Sequence, residues 1–479
     1  MRMNLGCMGS INQFFKPVAL LKSVFTLNDL AQSKRLAMVL RIAKGTRIAK
    51  GSCLAEGSRL AEAKRRSNKT ASFFLVLFMS NIFASASSAE QLNVGVSIST
   101  SAQRETFYTL ARDFERQHPG VTVRFTTLSS EEYKRSFPSM ISQESSLDVL
   151  YWHSGQRLFD YVDAGLVLSI DDVWAQQGLL TAFDQSVKDT VVRDGQFYGV
   201  PISYYQIGFY YSKNIFNRLS LAEPSSWQDF MAVCEAIKQA GYPPIFIGTK
   251  SNWPATAWFD YLNLRINGLE FHQQLTSGQI PFTDERVAAV LNAWLEPIEK
   301  GYFITEHNEL LWREGLPFLF RDLVGMSMIG NYVIQDIQQT VVPRLGFFPF
   351  PILDERVQAF EEAPIDVLII AKQTSNVSLA KQFLAFSARH EVQSKLNKSL
   401  GVLSPNKFAQ QDTSPLTKEA YYVLSNAAGV SHFFDRDASE AFANGVMPVL
   451  DKFMLEPDVD STLLELEKIR QATFQLTEG

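Results

Sequence analysis

The chain has 479 residues, of which 46% are hydrophobic, 12% aromatic and 20% charged, a balance that suits two or three packed units and excludes a disordered or collagen-like polypeptide. The net charge of -5 hides two unlike pieces: residues 1–89 carry 14 basic and 3 acidic side chains, whereas residues 90–479 carry 31 and 47, a net of -16. So acidic a chain gives nucleic acid no general electrostatic reason to bind.

Lys64, Arg65, Arg66 and Lys69 precede a short apolar run, Ala71–Met79, which is followed by Ala84-Ser85-Ala86 and Ser87-Ser88-Ala89. A basic cluster, a short apolar core and small residues at a cleavage point, in that order, describe a secretory signal peptide over 63–89, removed near Ala89. The run is too short, and too interrupted by Ser80 and Asn81, to span a bilayer. Residues 41–64 repeat one hexad four times, a period that fits neither helix nor strand packing, so 1–62 is read as a mis-assigned or non-native extension. Only Cys234 lies beyond the signal region, which rules out an intramolecular disulfide in the exported part. With no Cys at the cleavage point to carry a lipid, the expected location is the periplasm, as a free monomer.

In chain order, Leu92–Ile98 reads as a strand, followed by the polar loop Ser99–Arg104. Phe107, Leu110, Ala111 and Phe114 then mark one apolar helical face, which Pro119-Gly120 ends. Val121–Phe125 alternates as a second strand, Ser130–Gln143 as a helix and Leu147–Trp152 as a third strand. Such alternation indicates βαβ units, in whose sheets ligands gather at the carboxyl ends of strands. Further along, Trp227–Ala240 predicts a helix capped by Ser225 or Ser226, and Pro243–Gly248 a strand entry. Helices over Thr256–Asn267 and Arg286–Lys300, a strand at Val324–Ile329 and an extended run at Leu345–Pro351 follow. The tail from about Val377 is helical, broken at Gly401–Pro405. No long Pro/Gly/Ser linker separates the two halves, so two α/β lobes would hinge about a cleft.

Catalytic and cofactor signatures are missing from the sequence. No pair among the six His has the i, i+4 spacing of a helical zinc site, and neither a Gly-x-Gly-x-x-Gly nor a P-loop occurs. Gly325–Gly330 lacks the Gly-x-Ser-x-Gly pattern of a nucleophile elbow. The expectation is a protein without cofactor or metal, and not an enzyme. What the sequence offers instead is aromatic residues beside turn and amide residues: Trp152, Tyr204, Tyr205, Trp253, Trp258, Trp312, Tyr332, Phe433 and Phe434. A flat apolar ring with amides and hydroxyls around it suits a pyranose, which has one C–H face and a rim of hydroxyls. Trp174, Trp227 and Trp294 fall on helix faces and read as core.

Four segments in order resemble the extracellular solute-binding proteins of ABC importers, specifically the sugar-binding, maltodextrin-binding-protein-like group. Leu147–Trp152 with Tyr161–Val167 resembles the group's strand, ligand loop and helix end. Gly195–Pro201 followed by Phe209–Phe216 is similar to its Tyr-Gly-Val-Pro and Tyr-Tyr-Asn-Lys motif, with Ser212 where Asn is common. Pro224–Phe230 resembles one of its helix starts, and Ala380–Phe386 its late Ala-x-x-Phe-Leu helix. The resemblance implies an α/β, two-lobed periplasmic-binding-protein fold, each lobe a mainly parallel sheet flanked by helices, with the ligand cleft between lobes. It implies crossings near Pro201–Tyr205 and Pro364–Leu368, lobe 1 as 90–203 plus 367–412, and lobe 2 as 204–366 plus 413–479.

Carried over residue by residue, the resemblance makes Trp152 a ring-stacking residue and sets Asn331-Tyr332 where a stacking Trp is common. It puts Gln103 and Arg104 in the first polar loop, His153 beside the ligand, and Asp366 on a crossing strand as hydroxyl acceptor or hinge salt-bridge partner. Tyr204, Tyr205, Trp253, Trp258, Trp312, Phe434 and Asp435 complete the candidate set. The implied function is capture of a sugar or small oligosaccharide and delivery to an inner-membrane permease with a cytoplasmic ATPase. Alternatives are the same fold binding a polyamine or phosphodiester, and a secreted carbohydrate-active enzyme.

Overall fold

The computed structural model describes residues 90–475 except 143, 177, 338, 339 and 413, so the signal-peptide and extension expectations lie outside the described residues. Two sheets organise it. In lobe 1, β1 (Glu90–Ser97), β2 (Val121–Leu128), β3 (Val149–His153), β6 (Val200–Tyr204) and β12 (Ile365–Ile370) lie in the order β2-β1-β3-β12-β6. In lobe 2, β7 (Ile207–Ser212), β8 (Ile245–Phe246), β9 (Met326–Gly330) and β10 (Leu345–Phe348) lie in the order β10-β7-β9-β8. Two short pairs complete the strands: β4 (Val192–Arg193) with β5 (Gln196–Phe197), and β11 (Phe360–Glu362) with β13 (Gly429–Ser431).

The expectation of mainly parallel sheets needs one refinement. β12 is antiparallel to both of its neighbours, and β7 to both of its own, while the other strands of each sheet share a direction. The reason is connectivity: β7 and β12 enter their sheets from the hinge, so they start at the edge where the other strands end.

The crossing segments run side by side. β6 passes through Tyr205 and Gln206 directly into β7, and Tyr205 N–H donates to Pro364 O at 3.1 Å where the second segment runs from β11 into β12. Asn331 ties the end of β9 to this hinge: its Oδ1 accepts from Gln206 N–H at 3.3 Å and its N–H donates to Gln206 O at 2.9 Å.

Each lobe has its own apolar core. Leu92, Val94, Phe114, Phe137, Val149 and Trp152 belong to the first, and Phe209, Phe230, Trp258, Trp294, Phe350 and Phe442 to the second. The helices follow local rules. Ser101–Gln117 starts with a capping box between Thr100 and Gln103, and Trp227–Gln239 is capped by Ser226, which accepts from Asp229 N–H. The helix predicted over Thr256–Asn267 begins earlier, at Trp253, because Pro254 fits a first turn that needs no amide donor; Gly268, at φ 80°, then kinks it before it runs on to Thr276. No described helix is long and apolar enough to cross a membrane.

Trp152 is 1% exposed, stacked on Phe137 at 3.4 Å between ring centroids and 13° between planes, and its Nε1–H donates to Arg157 O at 3.1 Å. It is a core residue of lobe 1, so the expected stacking face is turned inward. Replacing it should therefore remove stability: Trp152→Ala is expected to cost about 3–5 kcal/mol, read as a lower urea midpoint, as for other large-to-small core changes.

A group of carboxylates is buried behind the hinge in lobe 2. Arg265 pairs with Glu361 at 2.6 Å, both nearly inaccessible. Neither oxygen of Glu362, and only one of Asp260, has a hydrogen-bond partner among the described residues. Burial first, and then the charge of Asp260, Asp437, Glu361 and Asp435, push the Glu362 carboxyl well above its ordinary value near 4.5. A raised value in the folded state means that the fold keeps a proton the unfolded chain gives up, so stability is full below about pH 4.5 and declines as pH rises through the folded value. Glu362→Gln removes that dependence. Its melting temperature relative to the parent should rise from pH 5 to pH 8; an equal difference at both would contradict this account.

Candidate functional site

The two lobes face each other across a cleft of about 120 Å³ on one side of the crossing segments. Strand alternation decides who lines it. In β3, Tyr151 and His153 face the cleft while Trp152 between them faces the core. Across the hinge, Tyr205 and Asp366 face the same cleft, whereas Tyr204 and Ile365, their chain neighbours, line a larger groove of about 860 Å³ on the other side. In that larger groove Asp437 is already engaged by His432 and Ser431.

Lobe 1 contributes a polar rim. Ser97 and Ser99 come from the end of β1 and the loop after it, and Ser130 and Lys134 from one helix face, four residues apart. Gln103 also borders the cleft, but its Oε1 is occupied in accepting from Ser99 and Thr100 N–H at 2.8 and 3.3 Å. Tyr133 fixes this rim to the sheet by donating to Gly95 O and Tyr151 O.

Lobe 2 contributes an aromatic wall. Trp253 meets Trp312 at 6.2 Å, Trp312 meets Tyr332 at 5.2 Å, and Tyr332 meets Tyr205 of the crossing segment at 5.3 Å, all near edge-to-face. Phe433, which also lines the cleft, packs on Trp253 at 5.4 Å, and Arg313 lies over the Trp312 ring at 4.3 Å. Trp253 sits in the first turn of its helix; Trp258, five residues on and therefore about 140° round the helix, points into the lobe 2 core.

At the floor is Asp366, 1% exposed. Tyr151 and Tyr205 both donate to its Oδ2, while His153 Nδ1 at 3.1 Å and Arg436 Nη1 at 3.2 Å engage Oδ1. Burial pushes the carboxyl up, against the opposing pull of Arg436. His153 is held well below its ordinary value by burial, then by Arg436, Lys134 and Arg157, so the imidazole is neutral at pH 7 and its interaction with Asp366 is a hydrogen bond. Although burial pushes Asp435 up, Lys134, Arg157 and Arg436 together hold it below its ordinary value. Four polar groups thus engage Asp366, two on each oxygen.

Of the sequence candidates, Gln103, His153, Tyr205, Trp253, Trp312, Tyr332 and Asp366 come together around this cleft. The others are placed elsewhere. Trp152, Trp258 and Phe434 are core, Arg104 is exposed on its helix, Tyr204 lines the larger groove, and Asn331 is buried with its Oδ1 on the hinge. Asp435 lies buried, 3.6 Å from Lys134. Sequence reading missed Ser97, Ser130, Lys134, Tyr151, Arg313 and Arg436. Tyr151 was recoverable, since residues flanking a core Trp in a strand face the other way; Lys134, Arg313 and Arg436 carry no local signal. Among the described residues no group of His, Cys, Asp and Glu is arranged to hold a metal ion.

The bacterial extracellular solute-binding protein family matches residues 99–394. An uncharacterized ABC transporter extracellular-binding protein of Pyrococcus horikoshii is 22% identical over 378 residues, covering 76% of this chain and 83% of its own. The osmoprotective compounds-binding protein of Synechocystis sp. is 23% identical over 366 residues, 71% and 80% of the two chains. Among solved structures, the bacterial solute receptor AcbH, described with an exclusive preference for β-D-galactopyranose, is 25% identical and superposes with a TM-score of 0.76, over 81% of this chain and 99% of that one. These relatives are binding proteins. Two lobes, two crossing strands, a cleft at the strand ends and a match over most of the described residues lead to one conclusion: the chain belongs to the bacterial extracellular solute-binding proteins, the binding-protein family of ABC importers.

Proposed function

We propose that this protein captures a sugar between its lobes in the periplasm, after removal of a signal peptide, and delivers it to an inner-membrane ABC permease. The observation that carries this reading is the pairing of an aromatic wall, Trp253-Trp312-Tyr332-Tyr205, with a rim of hydroxyls and an amine from Ser97, Ser99, Ser130 and Lys134 on the facing lobe. A pyranose presents those two faces, one of C–H bonds and one of hydroxyls. Since wall and rim belong to different lobes, a sugar satisfies both only when the cleft is shut, and binding then draws the open–closed equilibrium toward closure. A cleft of about 120 Å³ is small beside the roughly 300–1,000 Å³ usual for small-molecule sites, which favours one ring over an oligosaccharide. The preference described for the receptor AcbH, a single galactopyranose, supports the same choice.

Thermal denaturation against a panel of mono- and oligosaccharides, with polyamines and phosphodiesters beside them, tests the reading. A sugar at about 100 times its dissociation constant adds about 2.7 kcal/mol of stability, enough for a clear shift. Trp312→Ala and Trp253→Ala should each weaken that sugar about tenfold or more. Shifts with polyamines alone would retain the fold and dismiss the sugar. Conversion of an oligosaccharide to product by the pure protein would make it an enzyme instead.

A further inference from the structure

Besides the crossing segments, the lobes touch where the helix Gln156–Asp163 of lobe 1 meets the helix Glu440–Leu455 of lobe 2. Tyr161 Oη donates to Glu440 Oε2 at 3.2 Å, and Glu440 N–H donates to Asp160 Oδ2 at 2.9 Å. The second bond joins a first-turn amide, which its own helix cannot satisfy, to a carboxylate at the positive end of a helix of 16 residues. Arg157 Nη1 stands 3.9 Å from Glu440 Oε1, and at 6% exposure neither that nitrogen nor Nε has a hydrogen-bond partner among the described residues. Just before this helix, Gly155 packs so closely that a Cβ there would come within 3.2 Å of Arg436 O. At the cleft, Lys134 of lobe 1 and Asp435 of lobe 2 form a further pair between lobes at 3.6 Å.

Each partner is fixed in its own lobe. Leu158 and Tyr161 belong to the lobe 1 core, and Phe442, Ala443 and Val446 to that of lobe 2. Neither helix is part of a crossing strand, so a rotation of one lobe against the other acts directly on the contacts between them. We infer that these contacts form an interlobe clasp, made by the chain's own residues, which holds the lobes together before a ligand arrives. The inference rests on the lobe closure in the reading above, and not on the identity of the ligand. A ligand that prefers the closed form binds more weakly when that form is less populated, so a clasp that raises the closed fraction tightens binding of whatever the cleft takes. Arg157 completes the clasp as the lobes draw together, since its guanidinium needs only about 1 Å to reach the charge-assisted range of Glu440.

Pulsed electron–electron double resonance of the purified protein, with no sugar present, tests the clasp. Spin labels go on Arg135→Cys in lobe 1 and Glu309→Cys in lobe 2, both exposed, with Cys7→Ser and Cys53→Ser to remove the other accessible thiols. Cys234 does not compete, because it is buried and that burial pushes its thiol up. The expected result is a population at the short interlobe separation of the clasped form. Losing one hydrogen bond shifts such an equilibrium about two- to tenfold, so Tyr161→Phe and Glu440→Ala should each lower the ratio of short to long separations by about that factor. Tyr161→Phe keeps the packed ring, and the Glu440 side chain is 38% exposed, so neither change empties a core. Since both break the same contact, adding Tyr161→Phe to Glu440→Ala should lower the ratio no further. A ratio unchanged in both variants would make these contacts a fixed joint and overturn the inference, as would a parent protein with no short-separation population. Sugar plays no part in the measurement, so failure of the clasp is told apart from failure of the sugar reading, which the thermal panel decides.

Discussion

Everything at the centre of this molecule is arranged around one buried carboxylate. Asp366 sits where β12 enters lobe 1, and Tyr151, His153, Tyr205 and Arg436 converge on it from both lobes and from the crossing segment. Removing a carboxylate from water costs several kcal/mol unless charge and hydrogen bonds compensate, and here each oxygen has two partners. Losing any one would leave the others partly unsatisfied, so the cluster fixes the hinge geometry as a unit. It also fixes the positions of Tyr151 and Tyr205, which form the cleft floor.

From that tie the division of labour between the lobes follows. The strands of lobe 1 end in Ser97 and His153, and the helix that starts after β2 adds Ser130 and Lys134, all polar. Lobe 2 supplies flat aromatic surface from three separate segments, held edge-to-face so that the rings brace one another. Neither lobe alone can wrap a ligand. On the proposed function, a molecule with one apolar and one polar face gains most by bridging them.

Much of the fold was legible in the sequence because it depends on local periodicity. The alternation of Leu92–Ile98, the helical face of Phe107, Leu110, Ala111 and Phe114, and the cap at Ser226 all appear in the structure, with ends shifted by a few residues. The motif around Tyr210-Tyr211 marked the strand that enters lobe 2. Site assignment was less even. Of the aromatic residues singled out, Trp253, Trp312 and Tyr332 border the cleft, whereas Trp152 and Trp258 are core. The difference is orientation, not composition: one step along a strand, or five along a helix, turns a ring from ligand-facing to core-facing.

By itself, then, the sequence determined the strand and helix periodicities of the α/β segments, because these are written in contiguous residues, while the crossing-strand place of Asp366 came from the family resemblance. Only the tertiary structure decided the electrostatics. Lys134, Arg313 and Arg436 stand in three distant parts of the chain, and in a polypeptide with more acidic than basic residues none of them is conspicuous. Folding brings them to the border of one small cleft, and charge acts through distance in space, which the order of residues does not record.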